Sequence, residues 1–217
     1  MANQLHKFGG IAAFIEAITF IVGFWFYFTL LGPASYGSMD VDPSQHIAFL
    51  SQNQQLLYIW YWIIYILFGI ALVVLTFGIA SRLQDESPQL TKVASAFGLI
   101  WAGLVIASGM VANIGIELVV NLQDLSPERA ATTWYALNFV VNGLGGGNEI
   151  VGGIWVLMIS WAGLQSQKLP RLLNYLGLVI GFSGLLTSIP LLKSLGAVFG
   201  LGLILWFVWI GVALVRD

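Results

Sequence analysis

Long stretches of apolar residues dominate this chain of 217 residues and restrict what it can fold into. A helix needs about 20 mostly apolar residues to cross the hydrocarbon core of a bilayer. Only 8% of the residues are charged, whereas an ordinary soluble domain has about 25%. The sequence therefore predicts an all-α polytopic membrane protein, a single domain over 1–217 with six transmembrane helices, at about 9–31, 56–80, 93–118, 145–164, 172–189 and 195–215.

The basic residues predict the orientation of these helices, because Lys and Arg accumulate in cytoplasmic loops. If the N-terminus is cytoplasmic, the inner side holds all the basic residues except Arg129 and Lys193. An even number of spans returns the chain to the same side. We therefore expect a multi-pass membrane protein with both its N- and C-termini in the cytoplasm.

The two long loops that this orientation places outside each contain a signal for the start of a helix. Asp42 precedes Pro43, and Ser126 precedes Pro127. Asp and Ser are favoured at the N-cap of a helix, and proline is favoured at its first position. We therefore predict a short interfacial helix in each outer loop.

The stretch from Asn142 to Glu149 interrupts the fourth apolar segment with four glycines, two amides and a carboxylate. A continuous helix over 127–165 would be about 60 Å long, roughly twice the hydrocarbon thickness. Each interior glycine costs about 1 kcal/mol relative to alanine in a helix. We therefore predict a kink or a break at these glycines, between an outer interfacial or re-entrant helix and the fourth span.

Polar residues near this break form the candidate site. Glu117 follows Asn113 by four residues, so both lie on one face of the third span. The simplest arrangement points this face at the polar residues beside the glycines, with Arg129 and Lys193 as possible counter-ions. The candidate polar or ligand site therefore comprises Glu149, Asn148, Glu117, Asn113 and Asn142.

Each carboxylate in or near a span has a functional and a structural interpretation. In the functional one, Glu149 and Glu117 bind a proton, a cation or a polar substrate. In the structural one they reach water or a basic residue, which the sequence favours for Glu117 because it lies close to a loop. Glu16 is a buried carboxylate on the first span, about 10 Å inside the predicted helix. It must face the bundle, and we favour an inter-helix hydrogen bond over a proton path.

The sequence contains no motif that indicates a metal, a cofactor or an enzyme. Cysteine is absent, which excludes thiolate-bound metal centres. His6 and His46 both lie outside the apolar runs, so a bis-histidine haem within the membrane is not expected. No catalytic motif and no basic nucleic-acid footprint is present. We expect no cofactor and no nucleic-acid partner, and catalysis is disfavoured. Membrane lipid, other membrane subunits or a second copy of the chain are the expected partners.

The last third of the chain contains a recognisable combination of turn and packing motifs. These are Gly152-Gly153-Ile154-Trp155, Leu169-Pro170-Arg171 and Tyr175-Leu176-Gly177 with Gly181. From Gly143 onward the chain resembles small six-helix bacterial integral membrane proteins catalogued as a domain of unknown function. The resemblance implies six spans and a bacterial membrane, and it transfers no activity, cofactor or catalytic residue.

Two functions are compatible with these observations. The leading hypothesis is an integral membrane structural or accessory subunit that packs against partner chains or itself through glycine-rich helices. The alternative is a small transporter, or a ligand- or ion-binding membrane protein, that uses the outer polar cluster around Glu149 and Glu117. A water-accessible cavity at the buried carboxylates would favour the alternative, and a dry bundle with exposed glycine faces would favour the subunit.

Overall fold

The computed structural model describes residues 2–36, 42–146 and 149–216, and throughout these residues the regular secondary structure is helical. Three of the helices are followed by a π-helical turn, at Tyr27–Leu31, Trp62–Leu67 and Asn142–Gly146. A short 3₁₀ turn lies at Pro190–Leu192. The α-helices are α1 (Ala2–Phe26), α2 (Pro43–Tyr61), α3 (Phe68–Leu83), α4 (Pro88–Gln123), α5 (Pro127–Val141), α6 (Ile150–Ser166), α7 (Arg171–Leu186) and α8 (Leu195–Val215).

Among the described residues, five helical segments are long and apolar enough to cross a membrane, and α7 is a shorter apolar helix. Counted across the turns that join successive helices, and across residues 147–148, which are not described, the five are Gln4–Leu31, Pro43–Leu83, Pro88–Gln123, Pro127–Ser166 and Leu195–Val215. The all-α, multi-pass membrane fold predicted from the sequence is therefore confirmed.

Both predicted helix starts are confirmed. A carboxylate oxygen of Asp42 accepts a hydrogen bond from the Ser44 backbone N–H at 2.9 Å, and α2 begins at the next residue, Pro43. Hydrogen bonds from Ser44 hold the pKa of Asp42 below its usual value. Ser126 Oγ accepts a hydrogen bond from the Arg129 backbone N–H at 3.4 Å at the start of α5. These side chains satisfy backbone donors that the first turn of a helix leaves unpaired.

The helix that begins at Pro43 differs from the expected short interfacial helix. It continues through the π-helical turn into α3, with a kink at Asn53 (φ −115°, ψ 16°). Asn53 Nδ2 donates a hydrogen bond to the Phe49 carbonyl at 3.0 Å, and side chains that bond the preceding turn in this way bend helices. His46 and Leu50 are buried rather than spread on a membrane surface.

The helices pack as an antiparallel bundle around two apolar cores. α1 lies against α3 and α8, while α4 contacts α2, α3, α5 and α6. One core fills the middle of the bundle, with Trp155 and Phe207 fully buried. The second lies between α2, α4 and α5, around Leu50, Ile116 and Trp134. The bundle thus has a closed centre and a separate apolar cluster at the end opposite the termini.

Hydrogen bonds of Arg82 connect several chain segments at the end of the bundle where the termini lie. Its guanidinium donates to the Lys168 carbonyl at 2.9 Å and to the Ala213 carbonyl at 3.1 Å. Lys168 Nζ also lies 3.7 Å from a Glu86 carboxylate oxygen. This end of the bundle therefore holds four basic residues of the predicted inner side, namely Arg82, Lys168, Arg171 and Arg216. The two basic residues of the predicted outer side, Arg129 and Lys193, lie in chain segments at the opposite end of the bundle.

We predict that the end with the termini is cytoplasmic, which single cysteines can test because the chain has none of its own. Cysteines at the exposed positions Gln84 and Gln165 should resist an impermeant thiol reagent added outside cells. Cysteines at the exposed positions Gln45 and Glu128 should be labelled. The reverse pattern would show that the orientation is wrong.

Candidate functional site

The glycine-rich stretch interrupts the α-helix, as predicted. α5 ends at Val141, the π-helical turn follows, and α6 begins at Ile150. Glu149, just before α6, has non-helical backbone angles (φ −113°, ψ 29°). Gly147 and the predicted site residue Asn148 lie outside the described residues. The break therefore places Glu149 at the start of α6.

Side chains of neighbouring helices satisfy backbone groups around this break. Ser108 Oγ on α4 donates to the Val141 carbonyl at 3.3 Å. Thr187 Oγ1, just after α7, accepts a hydrogen bond from the Glu149 backbone N–H at 3.0 Å. Irregular backbone at membrane depth is tolerated only where it is buried in protein or lines a wet cavity. Hydroxyl groups of α4 and of the end of α7 therefore stabilise the interruption.

A chain of tyrosines leads from the first loop towards Glu149. The hydroxyls of Tyr36 and Tyr61 are hydrogen-bonded at 2.7 Å, and the rings of Tyr61 and Tyr65 stack with centroids 5.6 Å apart. Burial and the adjacent Tyr61 raise the pKa of Tyr36 well above its usual value. The partly buried Glu149 carboxyl is close enough to interact electrostatically with the Tyr65 hydroxyl. Because Tyr36 and Glu149 are both far from Tyr61 and Tyr65 in the sequence, no local pattern predicted this arrangement.

Glu117 and Asn113 line an open groove between α2 and α4. The groove has a volume of about 620 Å³. The wall from α2 and its π-helical turn contains the Gln54 amide and two aromatic rings, and Gln54 Nε2 donates to the Tyr58 hydroxyl at 2.9 Å. The lining residues are Gln54, Tyr58, Trp62, Asn113, Ile114, Glu117 and Asn121. Two of the predicted site residues thus lie in one groove, whereas no sequence pattern identified the residues of the opposite wall.

Glu149 and Asn142 do not line this groove, which corrects the expected arrangement of one joint polar cluster. Asn142 is exposed, and its Nδ2 donates to Asn138 Oδ1 at 2.7 Å within its own helical segment. Asn142 and Glu117 are separated because α5 packs on α4 through its apolar side, where Ala130 and Trp134 are buried. Burial of these apolar residues turns the two polar faces away from each other.

The two possible counter-ions are also placed elsewhere. Arg129 and Lys193 are both exposed. Within the described parts of the chain, neither forms an ion pair with Glu117 or Glu149. The carboxylates of the candidate site are therefore not neutralised by these residues.

Glu16 is fully buried, and both of its carboxyl oxygens lack a hydrogen-bond partner among the described residues. Its backbone carbonyl accepts a hydrogen bond from Thr19 Oγ1 at 2.8 Å, within the same helix. The inter-helix hydrogen bond favoured from the sequence is therefore not observed among the described residues. The sequence of α8, which packs against α1, contains no charged residue. Glu16 thus occupies an apolar environment between helices.

Several other buried polar groups also lack a partner within the described chain, and four of them lie opposite glycines. These four are the hydroxyls of Thr76 and Ser160 and the indole N–H groups of Trp155 and Trp206. Gly98 lies against the Thr76 hydroxyl and the Trp155 indole. Gly177 lies in the same way against the Ser160 hydroxyl and the Trp206 indole. The only sequence signal for these groups was the glycine opposite each pair, and a glycine alone does not identify its neighbours.

Metal coordination has no candidate in the described parts of the chain, since they contain no group of three or more His, Asp or Glu residues that could hold an ion. The described residues of the predicted polar site therefore fall into two separate places. One is the open groove at Glu117, and the other is the interior region of Glu149 and the tyrosines.

Comparison with known proteins identifies one family. The sequence profile of a domain of unknown function, DUF4386, matches residues 10–211. Searches of curated proteins and of solved structures found no match. The resemblance noted from Gly143 onward is therefore confirmed, and the match extends over almost the whole chain. The chain belongs to the DUF4386 family.

Proposed function

We propose that this chain is a ligand-binding membrane protein and that the groove between α2 and α4 is its binding site. The observation that supports this function is the composition of the groove. Four of its seven lining residues carry an amide or a carboxylate, in a chain that is 59% hydrophobic. A polar occupant that bonds to these side chains would explain why they are concentrated in one groove.

The position of the groove along α4 indicates how a ligand would enter. Asn121 is near the end of α4 at Gln123, whereas Asn113 lies about 12 Å further along the helix axis. The groove therefore extends from the end of the bundle opposite the termini into the apolar layer. The kink at Asn53 adjoins Gln54 and shapes the α2 wall. A ligand would enter from the membrane surface or sideways from the lipid.

We limit this proposal to binding, because Glu16 and Glu149 do not line the groove. Transport would require a connection from the groove to the other side of the membrane. We also propose that the membrane is bacterial and cytoplasmic, and that the groove opens on its outer side. The basic-residue distribution and the motifs of the last third support this location.

A structural or accessory subunit is the second candidate function. It is supported by two leucines that lie between helices at the end opposite the termini, Leu125 (82% exposed) and Leu191 (90% exposed). Apolar side chains this exposed outside the spans are suited to contact with another protein or with the membrane interface. A subunit of this kind would bury these two positions against its partner.

Native mass spectrometry of the protein extracted from its own membrane tests the proposed function. We expect a retained small molecule or lipid whose occupancy falls at least about fivefold in Trp62→Ala, since loss of an aromatic contact costs about 1 kcal/mol. The matched control is Trp25→Ala, because Trp25 is similarly exposed (62%, against 53% for Trp62) and does not line the groove.

Equal occupancy in both variants would contradict the groove as the binding site. A co-purifying protein chain that is lost in Leu191→Asp, with no small molecule retained, would instead favour the subunit.

A further inference from the structure

We infer that the groove recognises an organic ammonium group, supplied by a lipid head group or by a free amine. This inference rests on the proposed ligand-binding function and specifies the class of ligand. It follows from the charge, the aromatic side chains and the hydrogen-bonding groups of the lining residues.

The charge of the groove is negative. Among the described residues that line it, Glu117 is the only formally charged one. The facing helix, α2, contains no Asp, Glu, Lys or Arg. The other charged residue of α4, Lys92, lies 25 positions away, about 37 Å along the helix. A cation is therefore attracted and an anion is repelled.

The aromatic residues favour an organic cation. Tyr58 and Trp62 are separated by four positions and lie on the same wall. Ammonium groups bind to the faces of Trp and Tyr rings through cation–π attraction, which is how many proteins recognise choline-like ligands. The hydrogen bond from Gln54 to the Tyr58 hydroxyl fixes the position of this ring.

The hydrogen-bonding groups match an ammonium donor. Glu117 offers carboxylate oxygens, and Gln54 and Asn121 offer amide oxygens. The primary ammonium group of ethanolamine carries N–H donors and no acceptor. The quaternary ammonium group of choline has no N–H, and it would be held by the charge of Glu117 and by the aromatic rings alone. A metal ion fits less well, because calcium takes six to eight oxygen ligands, whereas the lining contains a single carboxylate. The chemistry of the groove therefore selects an organic ammonium group over a metal ion.

Both sources of the ammonium group can reach this groove. Its polar residues approach the end of α4, where a head group or a solute meets the membrane surface. Beside them, Ile114 (67% exposed) and Ile59 (58% exposed) present apolar surface against which acyl chains can pack.

The test measures retention of defined lipids and competition by soluble amines. The protein is reconstituted in nanodiscs with phosphatidylethanolamine, phosphatidylcholine or phosphatidylglycerol, and the retained lipid is counted by native mass spectrometry. We expect at least about tenfold stronger retention of the two ammonium lipids than of phosphatidylglycerol, and its loss in Glu117→Gln, because a charge-assisted contact contributes about 1.4 kcal/mol or more. Glu128→Gln is the control, since it removes an equal charge at an exposed position outside the groove.

The outcomes separate the two sources from each other and the ligand class from the proposed function. Preferential retention of ammonium lipids supports a lipid head group. A free amine is supported if choline or ethanolamine raises the thermal stability of the protein, if this stabilisation is lost in Glu117→Gln, and if the three lipids are retained equally. A third outcome overturns the ammonium inference but leaves the groove as a binding site. In it, all three lipids are retained equally, their retention falls in Trp62→Ala, and soluble amines do not stabilise the protein. If nothing is retained or stabilised in a Trp62-dependent way, both the inference and the proposed function fail.

Discussion

Replacing Gly78 with leucine should lower the free energy of unfolding by about 3 kcal/mol, because the substitution overpacks the contact between α1 and α3. A Cβ atom at position 78 would lie 2.6 Å from the Gly9 Cα and 3.2 Å from the Leu5 carbonyl oxygen. Both are backbone atoms, so no side-chain rotation relieves the clash, and α1 must move away from α3. Reversible unfolding in mixed micelles, followed by circular dichroism, measures the change.

Gly103→Leu is the matched control for this experiment. Gly103 also lies inside a helix, but a Cβ there would meet no atom within 4 Å. Leucine at this position should be neutral or stabilise by up to about 1 kcal/mol through its higher helix propensity. Equal effects at Gly78 and Gly103 would show that close approach of α1 and α3 contributes little to stability.

Glu16→Lys should prevent accumulation of folded protein, whereas Glu16→Gln and Glu16→Leu should fold. The side chain is fully buried and has no described partner. An unpaired lysine in the middle of a span costs about 3 kcal/mol or more. Leucine has a similar volume and removes a buried polar group whose unmade hydrogen bonds cost about 1–3 kcal/mol. We therefore expect Glu16→Leu to be at least as stable as the original chain.

Size-exclusion chromatography of detergent-extracted protein measures folded yield, and thermal unfolding compares the variants that fold. A matched control for the lysine variant is Ile18→Lys, since Ile18 lies on the exposed side of α1. There the ammonium group can move along the protein surface towards the interface, so the loss should be smaller. If Glu16→Leu unfolds at a lower temperature than the original chain, the prediction is wrong and the carboxyl group makes a stabilising contact.

Features coded by neighbouring residues were predictable from the sequence. Asp42 and Ser126 cap their helices, because a cap requires only a polar side chain beside the first turn. The interruption after Val141 was also predictable, since clustered glycines are unfavourable in a helix. α8 has the bounds predicted for the sixth span, Leu195 to Val215.

Features that depend on distant residues were not predictable. The π-helical turns at Tyr27–Leu31 and Trp62–Leu67 contain neither glycine nor proline, so they lack the usual local signal of an irregular helix. The groove pairs Glu117 with residues of α2 because α5 covers a different side of α4. Helix periodicity assigns a residue to a face, but it does not identify the helix that this face meets.

The short α7 has a consequence for the surrounding lipid. Its 16 residues span about 24 Å, compared with about 30 Å for the hydrocarbon core of a typical bilayer. Val179 and Phe182 are exposed on this helix, so part of it contacts lipid directly. Hydrophobic mismatch of this kind costs a fraction of a kcal/mol per Å and is relieved when the bilayer thins locally. The protein should therefore be surrounded by an uneven lipid annulus, thinnest beside α7, and should partition towards thinner membranes.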